Sequence, residues 1–467
     1  MTTVAIATER LLRPVRPAAP VPPPRRMGFF KLWRTVRENP IATVPQPCYE
    51  KPFVWLGRWW KPTLFLNEPA GIERVLLGNA ANYRKSPQVQ RRIRPALGDG
   101  LLTADGETWR AGRRIAAPLF SPKATAALND DMVAAAEAMS TRWRDECAQG
   151  PLDLAAQFQR LTYEIVSRTV FSGALDAERA MVHAEMARYF DSIGRVDLAT
   201  MLNLPPWIPS WSQWRAGPGI DAFRAVIGKA VTDRFAARAD GQAFDDLLER
   251  LSLARDPQTG NPMPDATVTD NVLTFLAAGH ETTGNALSWI SYLLTLFPEA
   301  EAEMLAELQR ELGGSPAPAG SLERLPFTRA AIEETMRLYP PAPFMGRQAI
   351  DSDEIAGEPV PAGTEILIAP WVVHRHRLLW EEPDLFRPER FSPQRRGGIA
   401  RGAYIPFGLG PRICIGMGFA MQEILTVLSI VLPRFRFALP DGAEVVPRSR
   451  ITLAPRDGMT MIVTPRA

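Results

Sequence analysis

The stretch from Val268 to Leu296 is the longest and most apolar run of helical spacing in the chain. A helix that is apolar on all sides has to be covered on all sides, so a large domain must be built around it. The composition permits this: of 467 residues, 46% are hydrophobic and 22% charged, ordinary for a soluble protein with a large core. The length alone suggests about three domains, but no linker-like composition divides the chain after the first fifty residues. The expectation is a Pro/Arg-rich, disordered tail over 1–26, with no stretch long enough to span a bilayer, followed by one domain over 27–467. Periodicity is helical from about Thr125 to Gly313, with breaks at Gly150-Pro151, Leu204 to Pro209, Gly217-Pro218 and Asp256 to Asp265. Short strands are expected at Phe53 to Trp55, Thr63 to Leu66 and Glu365 to Ala369. The fold class is therefore mainly α with small β-sheets (α+β), a helix-rich lobe beside a smaller β-rich lobe.

Charge and cysteine usage narrow the partners. The 54 basic and 51 acidic residues leave a net charge of +3, too balanced to argue for nucleic acid. Cys48, Cys147 and Cys414 are too widely spaced for a disulfide framework or a zinc site, which suggests a reducing, cytoplasmic setting. Phe29, Phe30, Trp33 and Val36 interleave with Lys31, Arg34 and Arg37. The pattern predicts a short basic amphipathic helix packed on the core, with contact to a membrane surface as the alternative. Arg84, Lys85, Arg91, Arg92 and Arg94 are read as a loop with a solvated basic face. The Pro/Trp segment around 204–214 is read as an apolar loop, either a lid over an entrance or packed surface.

Four places carry residue types with a chemical use. Within the central run lies Ala278-Gly-His-Glu-Thr-Thr283, where an interior glycine and back-bonding threonines predict a local distortion of the helix. In such a groove Glu281 and Thr282 can hold water and relay protons; the alternative is a solvent-facing acid beside capping threonines. His280 points away from them and reads as structural. Trp109 and Arg113 lie four apart on a helix and share a face that suits a buried anion, although arginine-bearing surface helices are common. Glu334 and Arg337 can pair at i, i+3, and Arg390 can complete a network. Finally, Phe407-Gly-Leu-Gly-Pro-Arg-Ile-Cys-Ile-Gly416 sets Cys414 before an apolar helical run. Gly408, Gly410 and Gly416 permit positive φ and close approach to a flat cofactor. A helix N-terminus favours a thiolate, and a thiolate on haem iron favours O–O cleavage. A small buried hydrophobe is the other reading of such a cysteine; nucleotide binding fails for lack of a third glycine at the required spacing.

Taken together, these elements resemble the cytochrome P450 family of haem-thiolate monooxygenases, in the family's order, from about residue 50 to 460. The motifs are Trp109-x-x-x-Arg113, Ala278-Gly279-x-Glu281-Thr282-Thr283, Glu334-x-x-Arg337, Phe386-x-Pro388-Glu389-Arg390-Phe391 and Phe407-x-x-Gly410-x-Arg412-x-Cys414-x-Gly416. The resemblance implies haem b (iron protoporphyrin IX) with Cys414 as axial ligand, and a haem loop that includes Phe407, Gly408 and Gly416. It implies Trp109, Arg113, Arg347 and Arg412 on the haem propionates, Arg347 being placed only by its distance after Tyr339-Pro-Pro-Ala-Pro343, in a strand edge. Glu281 and Thr282 would supply protons, with glutamate where many relatives have aspartate. The implied partners are O2, a small hydrophobic or amphipathic substrate, and a ferredoxin or flavodoxin with its NAD(P)H-dependent reductase. The enzyme is expected to be a monomer. An acidic donor would meet Arg110, Arg114, Arg395, Arg396 and Arg401. Peroxide-driven oxygenation and ligand binding without turnover are the competing functions.

Overall fold

A computed structural model of the chain describes residues 15–58, 61–173 and 211–466. The central helix is where the hydrophobic run requires it. Named in chain order, the elements used below are α1 (Phe29–Glu38), β1 (Phe53–Arg58), β2 (Lys61–Leu66), β3 (Tyr83–Lys85), α2 (Pro87–Leu97), α3 (Gly106–Ala116), α4 (Asn129–Glu146), α5 (Leu154–Phe171), α6 (Trp211–Ala239), α7 (Asp265–Leu296), α8 (Pro326–Leu338), β4 (Met345–Ala349), β5 (Glu365–Ile368), α9 (Met417–Val431), β6 (Pro447–Ser449) and β7 (Leu453–Pro455). Most of α7 is buried. Its second half joins α4, α5 and α9 in one core around Trp143, Trp289 and Leu428; its first half packs with α5 and α6 in another.

The helix runs unbroken through Gly279 and the threonines, so the expected distortion is not found. Tight packing explains those glycines instead. A Cβ on Gly279 would lie 3.0 Å from Val166 Cγ2, and one on Gly284 would lie 3.1 Å from the backbone nitrogen of Gln159. Both contacts are on α5, whose backbone the glycines let approach; Thr162 Oγ1 crosses that seam to donate to His280 O at 2.6 Å. The break expected at Gly217-Pro218 also lies within a continuous helix, α6. Of the expected lid, 204–210 fall outside the described residues.

The β-rich lobe is a five-stranded sheet in the order β1-β2-β5-β4-β3. Only β2 and β5 run parallel; β4 is antiparallel to β5 and to β3. Thus β4, which carries Arg347, is interior rather than the expected edge. Its register sets Arg347 directly opposite Lys85. Beyond β3, the segment read as a basic loop is the helix α2. The amphipathic helix α1 forms, but none of its residues is fully buried, and Phe30 keeps 81% of its surface exposed. Its apolar residues divide: Leu32, Trp33 and Val36 are largely covered, while Phe29 and Phe30 face outward. No described helix is long and apolar enough to cross a membrane.

Candidate active site

The approach to Cys414 is held by backbone geometry and by a buried network. Gly410 has φ +72°, and a Cβ there would sit 2.0 Å from Leu76 O, so only glycine fits. Gly408 is also left-handed, whereas Gly416 has φ −89° and caps α9 without that requirement. Cys414 N donates to Phe407 O at 2.8 Å, closing the loop, and the Phe407 ring packs against the main core. From the other side α8 supplies Glu334 and Arg337, both with fully buried side chains. Arg337 makes a fork onto Glu334 at 2.6 and 2.8 Å and donates to the carbonyls of His374, Pro383 and Leu385. Glu334 also accepts from Arg387 N at 2.8 Å and lies 3.4 Å from Arg390. The three-membered network expected from sequence is therefore assembled, and it anchors the residues that lead to the cysteine loop.

Cys414 precedes α9 by three residues rather than beginning it. Burial is the largest influence on its thiol and raises the pKa, against the Gly416 N–H and Arg113, which lower it. The protein alone therefore keeps a thiol here, contrary to the helix-terminus expectation; a bound metal removes such a proton outright. By surface area, however, Cys414 is exposed. Burial and exposure are both satisfied if the sulfur lies deep in the chain and faces an internal space. Ala278 shows the same combination: it is exposed although Asn271–Ala277 before it are buried. Ile415 packs on the cluster that also contains Phe275 to Ala277, so the cysteine loop and the first half of α7 share one apolar cluster.

At one side of that space cations converge. Arg412 stacks over Trp109, its Cζ 4.4 Å from the ring centroid, and bonds Asp105, yet its Nη1 is buried without a partner among the described residues. Burial, then Arg412, lower Arg347 to about 10. Burial also lowers the pKa of Arg113, while nearby Cys414 opposes the shift. Like charges directly across a ladder destabilise a sheet, and Lys85 faces Arg347 in that way. Lys85 Nζ donates to Leu101 O and Ala104 O at 2.8 Å each, and burial, with Arg412 next, brings it down to about 7. Asp105 is the acid among them. It is held below the usual carboxylate range by the Lys85 N–H and by Arg412, although burial, the largest influence, opposes them. Such an excess of buried positive charge suits an anionic group with more than one oxygen.

Lys85 was missed in the sequence because it stands in a run of basic residues. The usable signal was its place at the end of a short strand, one residue from solvent-facing Arg84. Its lowered pKa gives a pH dependence. An anion on Lys85 favours the charged form, so above pH 7 binding must take up a proton. Retention of an anionic cofactor is expected to weaken up to about tenfold per pH unit as pH rises above 7. Lys85→Gln should abolish that slope, and transfer of cofactor to an acceptor protein at pH 6 to 9 measures both.

On the α7 wall, Thr282 Oγ1 donates to Ala278 O at 2.7 Å. Glu281, one turn after Ala278, is buried, which raises its pKa; a hydrogen bond from Thr452 opposes that. The site thus places an acid whose pKa burial raises next to a hydroxyl on α7. His280 is structural, its Nδ1 3.0 Å from Leu276 O. The exposed thiol, the flat glycine approach and the unmatched cations together fit a planar, metal-bearing dicarboxylate such as haem.

Comparison with known proteins agrees with the geometry. The family model described as "Cytochrome P450" matches residues 20–460. Cyclooctatin synthase of Streptomyces melanosporofaciens is 32% identical over 412 residues, covering 87% of each chain. Cyclooctat-9-en-7-ol 5-monooxygenase from the same organism is 32% identical over 382 residues, 81% of this chain and 80% of that protein. Among solved structures, the cytochrome P450DA heme domain superposes with a TM-score of 0.80 at 26% identity, over 97% of this chain and 99% of the other.

Proposed function

Because the chain belongs to the cytochrome P450 family of haem monooxygenases, we propose that it inserts one atom of O2 into a hydrophobic or amphipathic organic substrate, with electrons from a separate ferredoxin or flavodoxin and its reductase. The observation that carries the substrate class is the apolar surrounding of exposed Cys414 and Ala278, where Ile415 packs on the cluster that holds Phe275 to Ala277. The relative named for 5-monooxygenation of cyclooctat-9-en-7-ol, an unsaturated alcohol, points the same way.

Haem, when bound, supplies the iron at which O2 is activated. The chain's own residues then have separate tasks. Cys414 is the thiolate ligand; Phe407, Gly408 and Gly416 shape its loop. Arg347, Arg412, Arg113 and Lys85 neutralise the propionates, with Trp109 as the surface on which Arg412 lies. Glu281 and Thr282 deliver protons on the substrate side, favoured by the raised pKa of the buried acid. Thr282→Ala is expected to lower coupled turnover on the order of 10² and divert reducing equivalents to peroxide, read as product formed per NAD(P)H consumed. Unchanged coupling would instead favour ligand binding without turnover or peroxide-driven chemistry.

For the electron donor, Arg114 and Arg396 are engaged by buried Asp256 and Glu333. Arg110, which pairs with exposed Glu107, and Arg395 and Arg401 are exposed and are the cations offered to an acidic donor. Donor reduction rates that do not fall between low and high salt would rule this out.

A further inference from the structure

Only one carboxyl oxygen of Glu281 is engaged. Its Oε1 accepts from Thr452 Oγ1 at 2.7 Å, while Oε2 is buried without a partner among the described residues. Thr452 lies in the turn between β6 and β7, far away in sequence. Its hydroxyl accepts from Asn285 Nδ2 at 3.3 Å, and Asn285 Oδ1 accepts from Gln159 Nε2 at 3.5 Å. A hydroxyl has one proton to give. With Asn285 donating to it, Thr452 directs that proton to Glu281. The turn is itself fixed: Leu453 N donates to Pro341 O at 3.0 Å, and Trp289 Nε1 donates to Leu453 O at 3.1 Å. The hydroxyl is therefore a rigid post, set by the core, against which a flexible glutamate leans.

We propose that Thr452 is a positioning residue for proton delivery: by occupying Oε1 it assigns the transferable proton of Glu281 to Oε2. A small rotation of the side chain's terminal bonds carries that oxygen from burial towards the accessible face that Ala278 marks. The proposal rests on the reading of Glu281 as the proton carrier. It also explains why a glutamate serves on this helix: its longer arm spans from α7 to the β6–β7 turn.

The test uses the haem-loaded enzyme with its donor proteins and a substrate found by spectral shift. Thr452→Val removes the hydroxyl at nearly constant volume. Coupled turnover is expected to fall roughly tenfold, peroxide release to rise and the pH profile of coupled turnover to move. The substrate-induced spectral shift and the thermal midpoint should stay as in the parent, and Thr452→Ser should restore turnover to within about twofold. Glu281→Gln and the double variant separate the two levels of the argument. A double variant no worse than Glu281→Gln supports Thr452 acting through Glu281. An impaired Glu281→Gln beside a Thr452→Val with parental coupling and pH profile would overturn the role of Thr452 alone. A Glu281→Gln with parental coupling would remove the carrier, and the proposal with it.

Discussion

Cys414→Ser is expected to yield a folded protein that gives no thiolate-haem spectrum when reduced under carbon monoxide and has no monooxygenase activity. The hydroxyl replaces the sulfur with little change in volume, and the loop is held by other bonds: Cys414 N to Phe407 O, Gly410 against Leu76, and the Phe407 ring in the core. What is lost is the one soft anionic ligand at that place, and with it the electron donation that favours O–O cleavage. The apoprotein offers a second readout. Burial raises the Cys414 thiol pKa, so alkylation at neutral pH should be slow although the side chain is exposed. Haem binding should then release the thiol proton. Parental carbon monoxide spectra from Cys414→Ser would overturn the assignment of the ligand.

Arg337→Ala should be the most damaging change outside the haem contacts. The guanidinium is fully buried, forked onto Glu334 and bonded to three carbonyls. Its removal leaves those carbonyls without their donor and the buried Glu334 carboxylate with only Arg387 N and the nearby Arg390. Breaking a buried pair from one side costs about 3–5 kcal/mol, a large fraction of a typical domain stability of about 5–15 kcal/mol. The expected result is little soluble haem-loaded protein and a urea midpoint displaced accordingly. Arg337→Lys should rescue only in part, because an ammonium cannot reproduce the fork together with the three carbonyl bonds. A variant with parental haem content and urea midpoint would show that the network is dispensable.

The frame of this molecule was legible from the sequence where one pattern admitted one use. The apolar run at 268–296 had to be central, and the i, i+3 spacing of Glu334 and Arg337 with Arg390 further on offered a network that the structure assembles. Readings failed where local rules yielded to packing. Gly279 looks like a helix breaker, but its role depends on Val166, which is more than a hundred residues away. The basic residues of 84–94 look like a solvated loop, yet Lys85 belongs to a strand whose register is set by Arg347, and the other four divide between that strand and α2. Cys414 was expected to be acidified by a helix terminus, but burial is the larger effect. Thr452 could not be tied to Glu281 from sequence at all, since that pairing is created by the tertiary placement of a turn.

The glycine seam between α5 and α7 bears on how this enzyme can diversify. With Gly279 and Gly284 bringing α5 against α7 at contact distance, the wall that holds Glu281 and Thr282 has no slack. Substitutions on the face of α7 from Ala278 to Asn285 should therefore disturb packing and coupling together. A change of substrate is thus better accommodated away from this seam, where the proton supply need not be rebuilt.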